Sequence, residues 1–441
     1  MDSAKIAILG AGMAGMAAAK TLSDQDCTVF EARNQPGGHA SSFHTNGFIF
    51  DEGPHLSFTP FDRVKTFFAR SVDDRFYEHP ALADNYYQGL FLKHPVQCNL
   101  NGLPPALVTR CVADFVRAQY EDHREIKTYK DWCYKGLGET ITETFTRLYT
   151  HKYWNLELEQ LTTDWVSERI YAPKLEEVLS GALSKETAEH YYMSTFRYPE
   201  NNGFSDYSTL LAKDAPIEYN ARVSEIDLTH KKLTITDGRT HHFDHLVSSL
   251  PLPEFIRLTK DVPPNVRAAA EELSCSSHFL ISIGVNRPHL SDAYWTYYYD
   301  EDIPFSRISF PSKYSQKTAR PGTSTMQLEV VHSNYKSLGD KDTLVEQCID
   351  ILLRIGLLHS REEILSLDAR DIKYANVIFD FQRVTNRNII HNWMQNSNVH
   401  WCGRYGEWAY LWTDQSCLSG ERAANEVRAA LGLAESTFDK A

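Results

Sequence analysis

The chain has 441 residues, a net charge of −13 from 45 basic and 58 acidic side chains, and eight cysteines with no C-x-x-C spacing. An acidic balance of this size argues against a nucleic-acid surface as the main function. The scattered cysteines fit a reducing, cytoplasmic setting rather than a disulfide framework or a metal site. No apolar run approaches the roughly 20 residues needed to span a bilayer, and the first residues read as strand, not signal peptide.

Residues 5–9 (KIAIL) are strand formers that lead into Gly10-Ala11-Gly12-Met13-Ala14-Gly15. The alanine-rich stretch 16–22 predicts a helix, and 27–30 (CTVF) predicts a second strand closed by Glu31. Strand, G-x-G-x-x-G, helix, strand and acid, in that order, make a βαβ unit for a dinucleotide. Gly10 permits the tight turn, Gly12 lets a pyrophosphate reach the backbone, and Gly15 lets the helix lie close to the sheet. The helix start at Met13 and Ala14 offers unpaired N–H groups to phosphate. Glu31 would accept from ribose hydroxyls, which disfavours a 2′-phosphate. The competing reading is a glycine turn in an unrelated α/β protein.

Glu31-Ala32-Arg33-Asn34-Gln35-Pro36-Gly37-Gly38-His39 resembles the E-x-R-x-x-x-G-G segment of the superfamily of flavin amine oxidases, protoporphyrinogen oxidases and UDP-galactopyranose mutases. The resemblance implies FAD, held by Ala32, Arg33, Gly37, Gly38 and His39 beside the residues above. Arg33 would neutralise phosphate charge, and Gly37-Gly38 would bring backbone N–H groups to the cofactor. Residues 48–58 (FIFDEGPHLSF) read as strand and then a turn forced by Gly53-Pro54. His55 matches a histidine that the mutase branch keeps close to the flavin ring.

Residues 60–69 and 106–120 predict helices, and 86–92 predicts a hairpin turning at Gln88-Gly89. A predicted helix over 140–149 leads into Tyr149-Thr150-His151-Lys152-Tyr153-Trp154, which resembles the Y-T-x-K-x-W element of the mutases. That likeness implies substrate contacts for Tyr149 and Lys152, whereas Trp154 and Trp165 read as core. The pattern then breaks. The mutase segment R-I-P-V-R grips a diphosphate with its second arginine, and this chain has Pro173 there, followed by Lys174. Lysine is a point charge and not a planar fork.

Residues 196–212 resemble the segment that returns the family's chain to the FAD domain. Alternation over 217–219, 223–228 and 232–236 predicts hairpin strands around Asp237-Gly238, and the resemblance puts Val223 against adenine. Further strands are predicted over 244–250, 278–285, 294–299 and 326–331. The tyrosines of 294–299 would either line a substrate pocket or pack at a sheet edge. Residues 304–308 (PFSRI) resemble the mutase P-[YF]-[ST]-R-I motif, which makes Arg307 the remaining diphosphate-binding arginine. Residues 399–427 resemble the family's C-terminal motif. They supply Gly403 and Arg404, then Tyr410 as a substrate contact, then a helix starting at Asp414-Gln415-Ser416 whose N-terminus would face the flavin.

The resemblance covers essentially the whole chain. It implies an α/β protein with a discontinuous Rossmann-like FAD-binding domain (1–59, 196–274 and 393–441) and a second α+β substrate lobe. That lobe would be helical over 60–195 and sheet over 275–392. Two activities fit. One is a mutase-like reaction on a nucleotide-linked sugar, in which flavin N5 attacks the anomeric carbon with no net redox change. The other is an oxidase or dehydrogenase reaction passing hydride to flavin. His55, Arg307, Tyr149, Lys152 and Tyr410 are the residues expected to meet the small-molecule substrate, and no metal is expected.

Overall fold

A computed structural model describes residues 4–121, 124–166, 169–187 and 194–440. Its first sheet is five-stranded and wholly parallel, in the order Val399–Trp401, His245–Ser248, Ile6–Leu9, Cys27–Phe30, Ile217–Glu218. Ile6–Leu9 sits in the middle and is buried along its length, as expected of a strand covered on both faces. The helix Met13–Thr21 begins three residues before the alanine run, because Gly12 is already its N-cap. The C-terminal helix Thr413–Ala430 crosses it closely. At the crossing, a Cβ on Gly420 would fall 2.0 Å from the Ala14 carbonyl oxygen, so only glycine fits. The N-terminal ends of both helices therefore open on the same side of the sheet.

The second sheet has seven strands, in the order Ile364–Val377, Cys275–Val285, Ser324–Ser333, Arg307–Ser309, Trp295–Tyr298, Ala83–Tyr87, Leu90–Lys93. Only Trp295–Tyr298 with Ala83–Tyr87 is parallel. The predicted hairpin is present, turning at Gln88 and Gly89, both with positive φ. It joins this sheet from within 60–195, the stretch expected to supply the helical part of the lobe. A local hairpin signal says nothing about which sheet the hairpin joins. The helix read over 140–149 contains a π-turn at Thr142–Thr146 and runs on as Arg147–Trp154.

The ribbon Ser42–Thr45 with Phe48–Asp51 packs on the seven-stranded sheet, where Gln327 Nε2 donates to the Asp51 carbonyl (2.9 Å). Phe48 lies against Gly284, where a Cβ would come within 2.5 Å of the ring. Asp51 is buried and accepts from Ser42 Oγ (2.5 Å), Tyr198 Oη (2.7 Å) and the Phe204 N–H (3.0 Å). All eight cysteines are free thiols, seven of them buried. Among the described residues, no group of ligating side chains is arranged to hold a metal. No described helix is long and apolar enough to cross a membrane.

Candidate active site

A cleft of about 410 Å³ lies between the sheets. One wall is the glycine floor of the parallel sheet. Gly10, Gly12, Met13, Ala14, Glu31, Arg33, Gly37, Gly38 and His39 line it, with Gly403, Arg404 and Ser416 from the C-terminal segment. The opposite wall comes from the seven-stranded sheet and the helix before it, through Tyr153, His278, Tyr297, Arg307, Glu329 and Asn376. His55 and Tyr410 line the cleft as well.

The floor fits a dinucleotide. Gly12 has φ −75° and takes no side-chain cap. A Cβ added to it meets nothing nearer than Gly38 Cα at 4.0 Å, so the space over it is open. By contrast, a Cβ on Gly15 would lie 1.9 Å from the Gly10 carbonyl, which is the close helix–strand approach expected of the third glycine. Glu31 accepts from the N–H groups of Ala11 and Arg33, both at 2.8 Å, which holds its carboxylate at the end of the second strand. The first-turn N–H groups of Met13–Thr21 and Thr413–Ala430 add two positive helix ends to the same cleft.

Several expected contacts are placed differently. Arg33 is engaged by Glu52 through two hydrogen bonds (2.7 and 3.1 Å), and His39 Nδ1 stands 3.4 Å from the same carboxylate. The guanidinium is thus already neutralised. Gly15, Ala32, Val223, Asp414 and Gln415 do not line the cleft. Val223 instead starts a separate three-stranded sheet, paired with Ile235, and Gln415 caps its own helix by accepting from the Trp412 N–H. Tyr149 is screened from the cleft by Tyr153, on which it stacks (5.5 Å, 17°), and by Tyr297, which it meets edge-on. Lys152 does not reach the cleft either. It is buried, donates to the Tyr298 carbonyl at 3.1 Å, and burial lowers its ammonium to about 7. The Y-T-x-K-x-W helix therefore brings Tyr153 to the site and not the two residues expected.

At the substrate end, Arg307 and Glu329 sit opposite each other on adjacent strands. They pair through Nε and an Nη at 2.7 and 2.9 Å, with no surface of Glu329 exposed. His278 Nδ1 lies 3.5 Å from the same carboxylate. Burial lowers His278 to about 4, so its ring is neutral at pH 7. His55 is neutral for the same reason, also at about 4. Its Nδ1 donates to the Gly53 carbonyl at 3.0 Å, which leaves Nε2 as an acceptor. Arg169, the arginine retained from the broken motif, lies over the rings of Tyr410 (4.4 Å) and Trp412 (3.9 Å) and donates to the Tyr410 carbonyl. Glu52, Tyr153, His278 and Asn376 were not legible as site residues. What signal there was lay in the position of Glu52 beside Gly53-Pro54-His55 and of Tyr153 inside the aromatic stretch 149–154.

Comparison with known proteins agrees with this geometry. A crystal structure of reduced UDP-galactopyranose mutase superposes with a TM-score of 0.90 at 27% identity, over 99% of this chain and 98% of that one. A putative protoporphyrinogen oxidase from Exiguobacterium sp. 255-15 shares the fold at a TM-score of 0.74 and 13% identity, over 98% and 100% of the two chains. The 4,4'-diapophytoene desaturase (4,4'-diaponeurosporene-forming) of Staphylococcus aureus (strain Newman) is 41% identical over 58 residues, which is 13% of this chain and only 12% of the desaturase. The family model for flavin containing amine oxidoreductase matches residues 13–428, which takes in both sheets apart from the first strand. The chain belongs to the flavin-containing amine oxidoreductase family and is an FAD-dependent enzyme.

Proposed function

We propose that the protein is a mutase-like flavoenzyme acting on a nucleotide-linked sugar, in surface polysaccharide or glycoconjugate synthesis, with no net redox change. The observation that carries this reading is Arg307, half-buried and lining the same cleft as the glycine floor. The likeness to UDP-galactopyranose mutase over nearly the full length supports it. Reduced FAD supplies a ring nitrogen, N5, nucleophilic enough to displace a leaving group at an anomeric carbon. The chain's own residues bind and orient: Gly12, Gly37 and Gly38 admit the cofactor pyrophosphate, Arg307 and Tyr410 face the substrate, and His55 presents an unprotonated Nε2. One observation favours the oxidase alternative. The charge of Arg307 is matched by Glu329 and that of Arg33 by Glu52, so the cleft offers a diphosphate less free positive charge than the motif implied.

The test is a titration of oxidised and reduced holoenzyme with several nucleotide sugars, followed by chromatography of the products. Tight binding and interconversion of isomers, without consumption of reductant, supports the mutase. Peroxide formation dependent on an added amine, with no nucleotide binding, transfers the enzyme to the oxidases.

A further inference from the structure

One row of polar side chains crosses the substrate wall. Arg307 pairs with Glu329, Glu329 faces His278 Nδ1, His278 Nε2 lies 3.2 Å from the Asn376 side-chain amide, that amide is 3.1 Å from Tyr153 Oη, and Tyr153 Oη is 3.1 Å from Tyr410 Oη. The direction of every link follows from its first member. Both oxygens of the Glu329 carboxylate accept from Arg307, so towards its neighbours it can only accept. The His278 nitrogen facing it must therefore carry the ring's single proton. A lone pair aimed at a buried carboxylate would be repelled, and at 3.5 Å this preference is electrostatic and does not need a short hydrogen bond. His278 Nε2 is then an acceptor. Asn376 must present its NH₂ group there, and its second hydrogen falls to Tyr153 Oη. Among the described residues Tyr410 Oη is the one acceptor within reach of Tyr153's own proton, since its other partner, Asn376, is a donor, and this favours donation from Tyr153 to Tyr410. Among the described residues Tyr410 Oη meets no second side-chain partner, and Tyr410 lines the cleft, so its own proton is left for a ligand there.

We propose that Asn376 and Tyr153 are positioning residues that fix Tyr410 as a hydrogen-bond donor, committing this end of the site to a ligand that presents oxygen lone pairs, such as a phosphate or sugar oxygen. An ammonium or other donor group would meet a proton instead of an acceptor. The row also gives the Arg307–Glu329 pair a purpose beyond anion binding, because the ion pair sets the polarity of the whole wall. Tyr153 is suited to its place: its ring is held by the stack on Tyr149 and edge contacts with Trp154 and His278, so its hydroxyl is not free to seek another partner. The polarity of the row follows from this chain's contacts alone, and the identity of the ligand rests on the proposed function.

Two measurements on the holoenzyme test it separately. In the first, uridine diphosphate is titrated into wild type, Tyr153→Phe, Tyr410→Phe and the double variant. Tyr153→Phe keeps the ring and should weaken binding by about fivefold, yet add almost nothing once Tyr410 is already Phe, because a residue acting through another is silent without it. An equal loss in both backgrounds would show a merely structural role and overturn the proposal. In the second, ¹⁵N-histidine NMR without ligand, with the His278 signal identified through His278→Gln, reads the tautomer at pH 7. Nδ1-protonated neutral His278 is expected, and an Nε2-protonated or charged ring overturns the row's polarity. If wild type binds no uridine diphosphate while the tautomer is as expected, the nucleotide-sugar reading falls and the donor row stands.

Discussion

Glu329 changes what substitution of Arg307 can mean. From the PFSRI motif alone, Arg307→Ala should weaken diphosphate binding and leave the rest of the molecule alone. The structure gives it a second role, because Glu329 is fully buried against it. Removing one partner of such a pair strands an uncompensated charge, at a cost of about 3–5 kcal/mol. We expect Arg307→Ala to melt well below wild type. Arg307→Lys should fall between, since lysine keeps the charge but not the fork. Adding Glu329→Gln to Arg307→Ala should restore most of the loss, because the stranded charge is then gone. A thermal scan of the FAD-loaded proteins decides it, and a single Ala variant as stable as wild type would contradict the argument. The arginine was legible because it stands in a motif of five matched positions. Its partner lies on the neighbouring strand, and strand register cannot be read from either segment alone. For the same reason His278, a lone histidine in an apolar strand, and Asn376, inside a long edge strand, gave no signal.

The element that the sequence displays best is the first strand, its glycine turn and the helix after it, and here the three glycines separate into testable roles. Gly12 has an ordinary φ and open space above it. Gly12→Val should therefore fold and fail to hold FAD, because the new side chain stands where the pyrophosphate meets the backbone. Gly15→Ala should do the opposite. Its Cβ would overlap the Gly10 carbonyl, forcing helix and strand apart at a cost of about 1–3 kcal/mol or more, so loss of stability should precede loss of flavin. Absorbance at saturating FAD together with the melting curve of each variant separates the two, and a yellow, fully loaded Gly12→Val would refute the first. Elements with local punctuation were equally legible: the hairpin with Gln88-Gly89, and the helix Pro105–Tyr120 with its opening proline. The helix Arg383–Asn396 was missed because its asparagines and weak apolar stripe resemble a loop until Ile390 and Met394 are seen in the core.

At the scale of the whole molecule, the discontinuous assembly of the parallel sheet was legible only through family likeness. Periodicity finds strands, but nothing local says that His245–Ser248 and Val399–Trp401 return beside Ile6–Leu9. What the closed assembly adds is a set of wholly or partly buried histidines, and these set its response to acid. Burial lowers His55, His278 and His391 to about 4 and His94 to about 3, against an ordinary value near 6.5. Each refuses a proton in the native state that the unfolded chain accepts. Between roughly pH 6.5 and 4 unfolding therefore takes up protons, so this contribution is complete above 6.5 and is lost as pH falls, by up to about 1.4 kcal/mol per pH unit for each group. Asp51 works in the other direction. Burial raises it to about 6, so the native state keeps a proton that the unfolded chain releases near 4, and its contribution declines as pH rises through that window. Four histidines outweigh one aspartate, and the net stability should fall steeply on acidification from pH 7 to 5. Urea unfolding at a series of pH values, with FAD saturating, measures this directly. A midpoint that stays level across that range would mean that these histidines are protonated in the folded protein, and the neutral His278 on which the polarity of the substrate wall depends would go with them.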